Sequence, residues 1–250
     1  MIERSDDGDI AVLRLAHGPV NAMDLELCES LIAQFHSLVT DPARAVVLIG
    51  SGSSFSAGVD LRRFLDGGAD YVKRFLPALA GCFQAAFELT TPVVAAVNGH
   101  AIAGGCVLAA TADVTLMTDG KGRIGVPEIK VGVPFPRIAL EVLRYAVGEV
   151  AARRLVLGAR TYPPTEAKAL GLVDDLVEGD DLLARAVQAA RELAEQAPAD
   201  TFAATKTQLR REALERTARY ADDDATAIQL WSSRATDGWT ARYLESITRR

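Results

Sequence analysis

The chain has 250 residues, 49% hydrophobic and 24% charged, which predicts a soluble globular protein with one sizeable domain, alone or with a small appendage. Its 27 basic and 33 acidic side chains leave a net charge of −6, which argues against a nucleic-acid partner, and no apolar run approaches the ~18 residues of a membrane helix. The acidic N-terminus is unlike a signal or transit peptide, and three cysteines without CxxC spacing favour a reducing, cytoplasmic location.

The first half of the chain is predicted to alternate strands and helices. Residues 9–15 have the alternation of a strand, and Asp24 stands where it can cap a helix from Leu25 to about residue 39. The apolar run 45–50 predicts a buried strand. Helical spacing extends over residues 72–89, and the glycines of residues 66–68 interrupt the segment before it.

The second half begins with another apolar strand at residues 92–97. The remaining predicted strands are 113–117, 123–126 and 172–177, and the predicted helices are 134–147, 153–157 and one near 161–167. From residue 181 the pattern is wholly helical, which divides the chain into an α/β core of residues 1–180 and a helical region of residues 181–250. Trp231 and Trp239 look exposed on short terminal helices and indicate a subunit contact; packing onto their own domain is the alternative.

The stretch from Asn98 to Asp113 follows the apolar strand 92–97 and carries the first chemical signal. A turn at its start leads to the pair Gly104-Gly105 and then to an apolar, helix-like run. Glycine lets backbone pass close to a ligand, and the first N–H groups of a helix are free to point at it. Such N–H groups can hold a developing negative charge on oxygen. A glycine-rich turn that only packs a helix against a sheet is the alternative.

Two further segments agree with the first. Residues 55–61 read Phe-Ser-Ala-Gly-Val-Asp-Leu, and residues 124–134 read Ile-Gly-Val-Pro-Glu-Ile-Lys-Val-Gly-Val-Pro. With Asn-Gly-His-Ala-Ile-Ala-Gly-Gly-Cys between them at residues 98–106, the three segments resemble, in order, the motifs of the crotonase family of enoyl-CoA hydratases and isomerases. The resemblance runs from about residue 18 to residue 177.

This resemblance implies an α/β fold, a spiral of ββα units with a C-terminal helical trimerisation region. It implies an acyl-CoA substrate, a homotrimer or homohexamer, and no cofactor beyond the coenzyme A of the substrate; no metal-ligand spacing appears. The family's oxyanion-hole donors correspond to the backbone N–H groups of Val59 and Gly104. Asp60 is interpreted as the cap of its turn and Cys106 as a small core residue.

The resemblance also assigns the contacts to coenzyme A and the acyl group, with Arg62 as a phosphate partner. The predicted substrate-binding residues are Ala22, Ser56, Ala57, Val59, Asp60, Leu61, Arg62, Gly104, Val107 and Pro127. A helix-capping turn would explain Ala22 and its neighbour equally well.

The acid/base residues are where the sequence departs from the hydratases of this family, which use two glutamates. One of the two positions, three residues after Gly104, holds Val107, and the other holds Glu128. One carboxylate suits Δ3,Δ2-enoyl-CoA isomerisation, which removes a proton from carbon 2 and returns one to carbon 4. Burial against Val107, Val126 and Ile129 is expected to raise the pKa of Glu128.

Three alternatives to this assignment stay open. A hydratase would handle water with Glu128 alone or with a group not identified from the sequence. A non-catalytic acyl-CoA-binding protein would have kept the groove and lost the chemistry. For Glu128 itself, a partly exposed ion pair with Lys130 is the structural alternative.

Overall fold

The computed structural model describes residues 1–248 and is built on two sheets. Within that range the strands are β1 (Ile2–Asp7), β2 (Ile10–Leu15), β3 (Ala45–Gly50), β4 (Ser54–Ser56), β5 (Val93–Val97), β6 (His100–Ile102), β7 (Val114–Thr118), β8 (Ile124–Gly125), β9 (Thr161–Tyr162) and β10 (Asp175–Val177). The six-stranded sheet has the order β1-β2-β3-β5-β7-β10, and the four-stranded sheet has the order β4-β6-β8-β9. Neighbouring strands are parallel except for the pairs β1–β2 and β8–β9.

Helices follow the strands and fill the C-terminal part of the chain. They are α1 (Leu25–Leu38), α2 (Leu61–Glu88), α3 (Gly104–Ala110), α4 (Glu128–Val131), α5 (Arg137–Gly158), α6 (Pro164–Ala169), α7 (Leu182–Glu195), α8 (Ala199–Arg219), α9 (Asp222–Arg234) and α10 (Trp239–Thr248), with a 3₁₀ turn at Gly179–Asp181. Asp24 caps α1 by accepting a hydrogen bond from the Leu27 N–H, as predicted.

A ββα unit is repeated three times and produces the predicted spiral. The units are β3-β4-α2, β5-β6-α3 and β7-β8-α4, and in each the first strand joins the larger sheet and the second joins the smaller one. Parallel neighbours require such crossovers. All three helices consequently begin at the carboxyl ends of strands of the smaller sheet, on the same side of the molecule.

Two apolar cores lie on either side of the larger sheet. One core packs alternate residues of its strands against α1, α2, α3 and α5, and the other packs the opposite face against α7. Strand β3 is buried along its whole length because both faces are covered, which explains its continuous apolar sequence. Helix α7 follows the predicted boundary at residue 180 and packs against the sheet of the preceding segment.

Most predicted elements are confirmed, with differences at exposed or kinked segments. Strand β1 lacks a prediction because its residues beyond the first are exposed and polar, so it carries no apolar pattern. The helices predicted over 134–147 and 153–157 are one element, α5, with a break at Gly148 (φ 76°, ψ 162°). The predicted interruption near residues 66–68 is a kink at Gly68 within α2.

The expectation of two exposed tryptophans is wrong for Trp231, which is 2% exposed. Its indole lies 5.4 Å from the Phe64 ring in a T-shaped contact, and its Nε1 donates to the Pro134 carbonyl oxygen at 2.8 Å. Trp239 is 48% exposed. Helix α9 therefore packs onto its own chain, and the trimeric or hexameric assembly stays a prediction.

Within residues 1–248, no helix combines the length and the apolar character needed to cross a bilayer.

Candidate active site

The loop after β4 is held by hydrogen bonds that leave one N–H group unused. The Ser56 hydroxyl donates to the Asn21 carbonyl at 2.7 Å and accepts from the Gly58 N–H at 3.2 Å. Met23 pairs with the loop from one side, donating to the Gly58 carbonyl at 2.7 Å and accepting from the Asp60 N–H at 3.0 Å. Val59 lies between these two bonds, and its own N–H has no hydrogen-bond partner in residues 1–248.

A second loop brings the start of α3 against the first. Cβ atoms built on the glycines would lie 2.5 Å from the Ile102 oxygen at Gly58 and 2.4 Å from the Ser56 oxygen at Gly105, so both positions require glycine for this close approach. Gly104 begins α3, and its N–H is likewise unpaired within the described chain because a helix leaves its first N–H groups free.

Ala103, which precedes α3, has a backbone conformation that glycine would adopt more easily. Its φ is 52° and its ψ is −122°, a region that costs a residue with a Cβ about 1–3 kcal/mol. Its N–H donates to the Gly125 carbonyl at 2.8 Å, and its carbonyl accepts from Cys106 and Val107. These bonds hold the strained turn from which α3 begins.

The two loops form one side of a cleft with about 610 Å³ of space between atoms, part of it open to solvent. Its apolar wall comes from all three ββα units, from α5 and from the C-terminal helices. Side chains on the wall include Leu79, Phe83, Val107, Val131, Val133, Phe135, Ala139, Trp231, Tyr243 and Ile247. Leu79 and Phe83 belong to the segment 72–89 that was predicted to be helical, whereas the contribution of α9 and α10 was not predicted.

Glu128 is the one carboxylate among the described residues that line this cleft. It begins α4 and is 7% exposed, and its Oε2 is buried without a hydrogen-bond partner in the described part of the chain. Burial raises its pKa from 4.5 to about 8, and a hydrogen bond from its own backbone N–H acts weakly in the opposite direction. The predicted rise in pKa is confirmed.

The surroundings of Glu128 differ in one respect from the prediction. Val107 and Val126 are buried as expected, whereas Ile129 is 45% exposed and cannot shield the carboxylate. No ion pair joins Glu128 to Lys130 within residues 1–248. The carboxyl group is therefore held in an apolar wall rather than on a charged surface.

The structure brings most of the predicted site residues to this cleft. Those that line it are Ala57, Val59, Leu61, Gly104, Val107, Pro127 and Glu128. Ala22, Ser56, Asp60 and Arg62 lie outside its wall.

Each of the four residues outside the wall has a clear structural position. Ser56 is fully buried, and its hydroxyl group makes the two hydrogen bonds that hold the loop after β4. Asp60 caps α2, accepting at 3.0 Å from the N–H groups of Arg62 and Arg63, so the predicted cap is confirmed. Arg62 is exposed, and Ala22 is half-buried beside the first loop. Contact of these residues with coenzyme A stays a prediction.

The comparison with known proteins is decisive at the level of family. The family model described as enoyl-CoA hydratase/isomerase matches residues 6–246. The chain belongs to this family. A putative enoyl-CoA hydratase of Thermus thermophilus is 40% identical to this family member over 182 residues, 71% of each chain.

Among the other similar members of the enoyl-CoA hydratase/isomerase family, some are named isomerase and others hydratase. The mitochondrial enoyl-CoA delta isomerase 1 of Rattus norvegicus is 29% identical over 189 residues, 74% of this chain and 65% of the relative. The crystal structure of human mitochondrial Δ3,Δ2-enoyl-CoA isomerase aligns with a TM-score of 0.89 at 25% identity, covering 99% of this chain and 98% of that one. An enoyl-CoA hydratase from Bacillus halodurans, at 20% identity and a TM-score of 0.84, covering 98% of this chain and 99% of that one, shares the fold.

Proposed function

We propose that this protein is a Δ3,Δ2-enoyl-CoA isomerase in which Glu128 is the acid/base. The observation that carries the proposal is the single carboxylate among the described residues of the cleft, with buried Val107 where the two-glutamate hydratases place the other. Isomerisation needs one group that takes a proton and gives one back, whereas hydration needs water activated and a proton delivered.

The reaction follows from the positions of three groups. The thioester oxygen accepts hydrogen bonds from the unpaired N–H groups of Val59 and Gly104, each worth a few kcal/mol where water is excluded. Glu128 removes a proton from carbon 2, and the electron pair left behind spreads over a dienolate that ends on the thioester oxygen. The protonated carboxyl group returns its proton to carbon 4, and the double bond now joins carbons 2 and 3.

The apolar wall supports a hydrocarbon acyl group as the substrate's reacting part. The coenzyme A moiety is proposed to lie along Ala22, Ala57, Asp60 and Leu61, with exposed Arg62 free to reach a phosphate, while fully buried Ser56 only supports the loop. Because the pKa of Glu128 is about 8, the base form grows as pH rises towards that value. Activity governed by the free enzyme is therefore expected to increase between pH 6 and pH 8.

A second candidate is hydration of a 2-enoyl-CoA to a 3-hydroxyacyl-CoA. It is favoured by the name of the Thermus thermophilus relative, a putative enoyl-CoA hydratase at 40% identity. In that reaction Glu128 alone would have to activate water, because Val107 has no group that transfers a proton.

The test is incubation with 3-hexenoyl-CoA, watching for the ultraviolet absorbance of a conjugated 2-enoyl thioester, with Glu128→Gln as the control. Conjugation by the parent that disappears in the variant supports the isomerase. Absence of conjugation contradicts it, and hydration of 2-hexenoyl-CoA then tests the second candidate. Tight acyl-CoA binding with turnover of neither thioester would indicate a non-catalytic binding protein.

A further inference from the structure

The cleft holds a second polar side chain that the proposed chemistry has not used. Among the described residues on its wall, three have polar side-chain atoms: Glu128, Trp231 and Tyr243. The Trp231 Nε1 is committed to the Pro134 carbonyl at 2.8 Å. The Tyr243 hydroxyl has no hydrogen-bond partner in residues 1–248, so it is the one uncommitted side-chain donor of the described wall.

Helix α10 is attached directly to α4, the helix that Glu128 begins. The Trp239 Nε1 donates to the Lys130 carbonyl and the Thr240 hydroxyl donates to the Val131 carbonyl, both at 3.0 Å. Residues three and four apart share one face of a helix. Tyr243 is therefore on the face of α10 that these bonds hold against α4, one turn further along.

Gly132 makes this attachment possible. It ends α4 with φ 95°, and a Cβ at this position would lie 2.5 Å from Cδ1 of Trp239. The absence of a side chain at Gly132 thus lets the indole come close to the end of α4. The position of Tyr243 is consequently set by main-chain contacts.

Glu128 and Tyr243 line the same cleft, and the charge of Glu128 acts on the Tyr243 hydroxyl. Burial raises the pKa of Tyr243, and the charge of Glu128 raises it further. Tyr243 stays protonated and is a hydrogen-bond donor at neutral pH, facing a cleft where the Oε2 of Glu128 is unpaired. A buried carboxylate oxygen without a partner is costly, and a phenol hydroxyl supplies what it lacks.

We propose that Tyr243 is a positioning residue for Glu128. When an acyl-CoA fills the cleft, the phenol hydroxyl donates to Oε2 and holds the carboxylate where it reaches both carbon 2 and carbon 4. The inference rests on the proposed function for the identity of the substrate. A hydrogen bond to the ionised form favours that form, so the bond lowers the pKa of Glu128 in the substrate complex.

Tyr243→Phe tests the role because it removes the hydroxyl and keeps the ring. Tyr220→Phe, at the exposed end of α8, is the matched control. With 3-hexenoyl-CoA we expect kcat of Tyr243→Phe to fall about tenfold or more, since misplacement of a reacting group is costly. The acid limb of the kcat profile, which reports the complex, should move up by about half a pH unit or more, while that of kcat/KM, which reports the free enzyme, stays in place.

Two results overturn the inference while leaving the isomerase intact. One is a Tyr243→Phe variant with the parent's kcat and the parent's acid limb. The other is a rise in KM alone, which would mean that Tyr243 only shapes the pocket.

Failure of the proposed function is recognised separately, because the parent then does not isomerise 3-hexenoyl-CoA. Exchange of the carbon-2 protons of hexanoyl-CoA in D₂O, which requires only enolate formation, is the second measurement. If exchange is slower in Tyr243→Phe but not in Tyr220→Phe, Tyr243 positions Glu128 even though the protein does not isomerise 3-hexenoyl-CoA. Equal exchange in both variants, or none in the parent, overturns the inference.

Discussion

Glu128→Gln is expected to stabilise the protein while it abolishes activity. Glutamine has nearly the shape of glutamate and no charge, so it fills the same place in the wall of the cleft. The ionised carboxylate is 7% exposed and has one oxygen without a partner. Its removal takes away an unfavourable burial, as often happens when a catalytic group is replaced.

The gain in stability should depend on pH, and its sign follows from the raised pKa. Between pH 4.5 and about 8 the unfolded chain loses the Glu128 proton while the folded protein keeps it. The folded parent is therefore destabilised progressively as pH rises through this window. At about 1.36 kcal/mol per pKa unit, the effect reaches an upper limit of about 5 kcal/mol above pH 8 and vanishes below pH 4.5.

The measurement is urea or thermal unfolding of parent and Glu128→Gln at pH 5 and pH 8.5. Protein concentration is kept constant, because the stability of an oligomer depends on it. For a chain of this size each kcal/mol changes Tm by about 2–4 °C, so the pH-dependent part is readily resolved. Exposed Glu29→Gln is the control. An equal gain at both pH values, or a loss at pH 8.5, would refute the reasoning.

Three further predictions concern other buried features. Asp113→Asn should lower the free energy of unfolding in urea by about 3–5 kcal/mol, because two buried cations lose their counter-ion. Asp113 accepts hydrogen bonds from Lys206 at 2.6 Å and from Arg210 at 2.8 Å. Unchanged stability would contradict this prediction. Ala103→Gly should stabilise the folded protein by about 1 kcal/mol, because relief of the strained φ outweighs the entropy that the unfolded chain gains from glycine. A loss of stability would show that the turn is unstrained. Val107→Glu should hydrate 2-hexenoyl-CoA faster than the parent does, at a cost in Tm. If the variant hydrates it no faster, the missing second carboxylate is not what limits hydration in the parent.

Local patterns were sufficient for the strands and loops that carry the chemistry. Strand β3 and strand β5 are continuous apolar runs because both faces of the larger sheet are covered, and such runs are recognisable in the sequence. The loops after β4 and before α3 follow these strands closely along the chain. Gly58 and Gly105 occur there because no other residue permits the two loops to touch. The loops are therefore recognisable in the sequence, and resemblance to the family then indicates the proposed N–H donors within them.

The face that a helix buries was less predictable where charge replaces apolar packing. Helix α8 lies in the region that was predicted to be wholly helical, yet it buries Lys206 and Arg210 and leaves Leu209 63% exposed. Asp113 offsets the cost of burying the two cations by accepting a hydrogen bond from each. That carboxylate is more than ninety residues away in sequence, so helical periodicity gave no indication of the pairing.

The sequence alone contained the three short motifs that indicate the family, because each motif consists of residues close along the chain. Resemblance to that family implied the ββα core, the role of Glu128 and the loops that present Val59 and Gly104. Tertiary structure decided what closes the cleft. Trp231 and Tyr243 reach it from helices about one hundred residues beyond α4, through hydrogen bonds to main-chain carbonyls of α4 and the segment after it. Every residue offers the same carbonyl group, so no side-chain pattern marks such an acceptor, and only the folded chain reveals which ones are used.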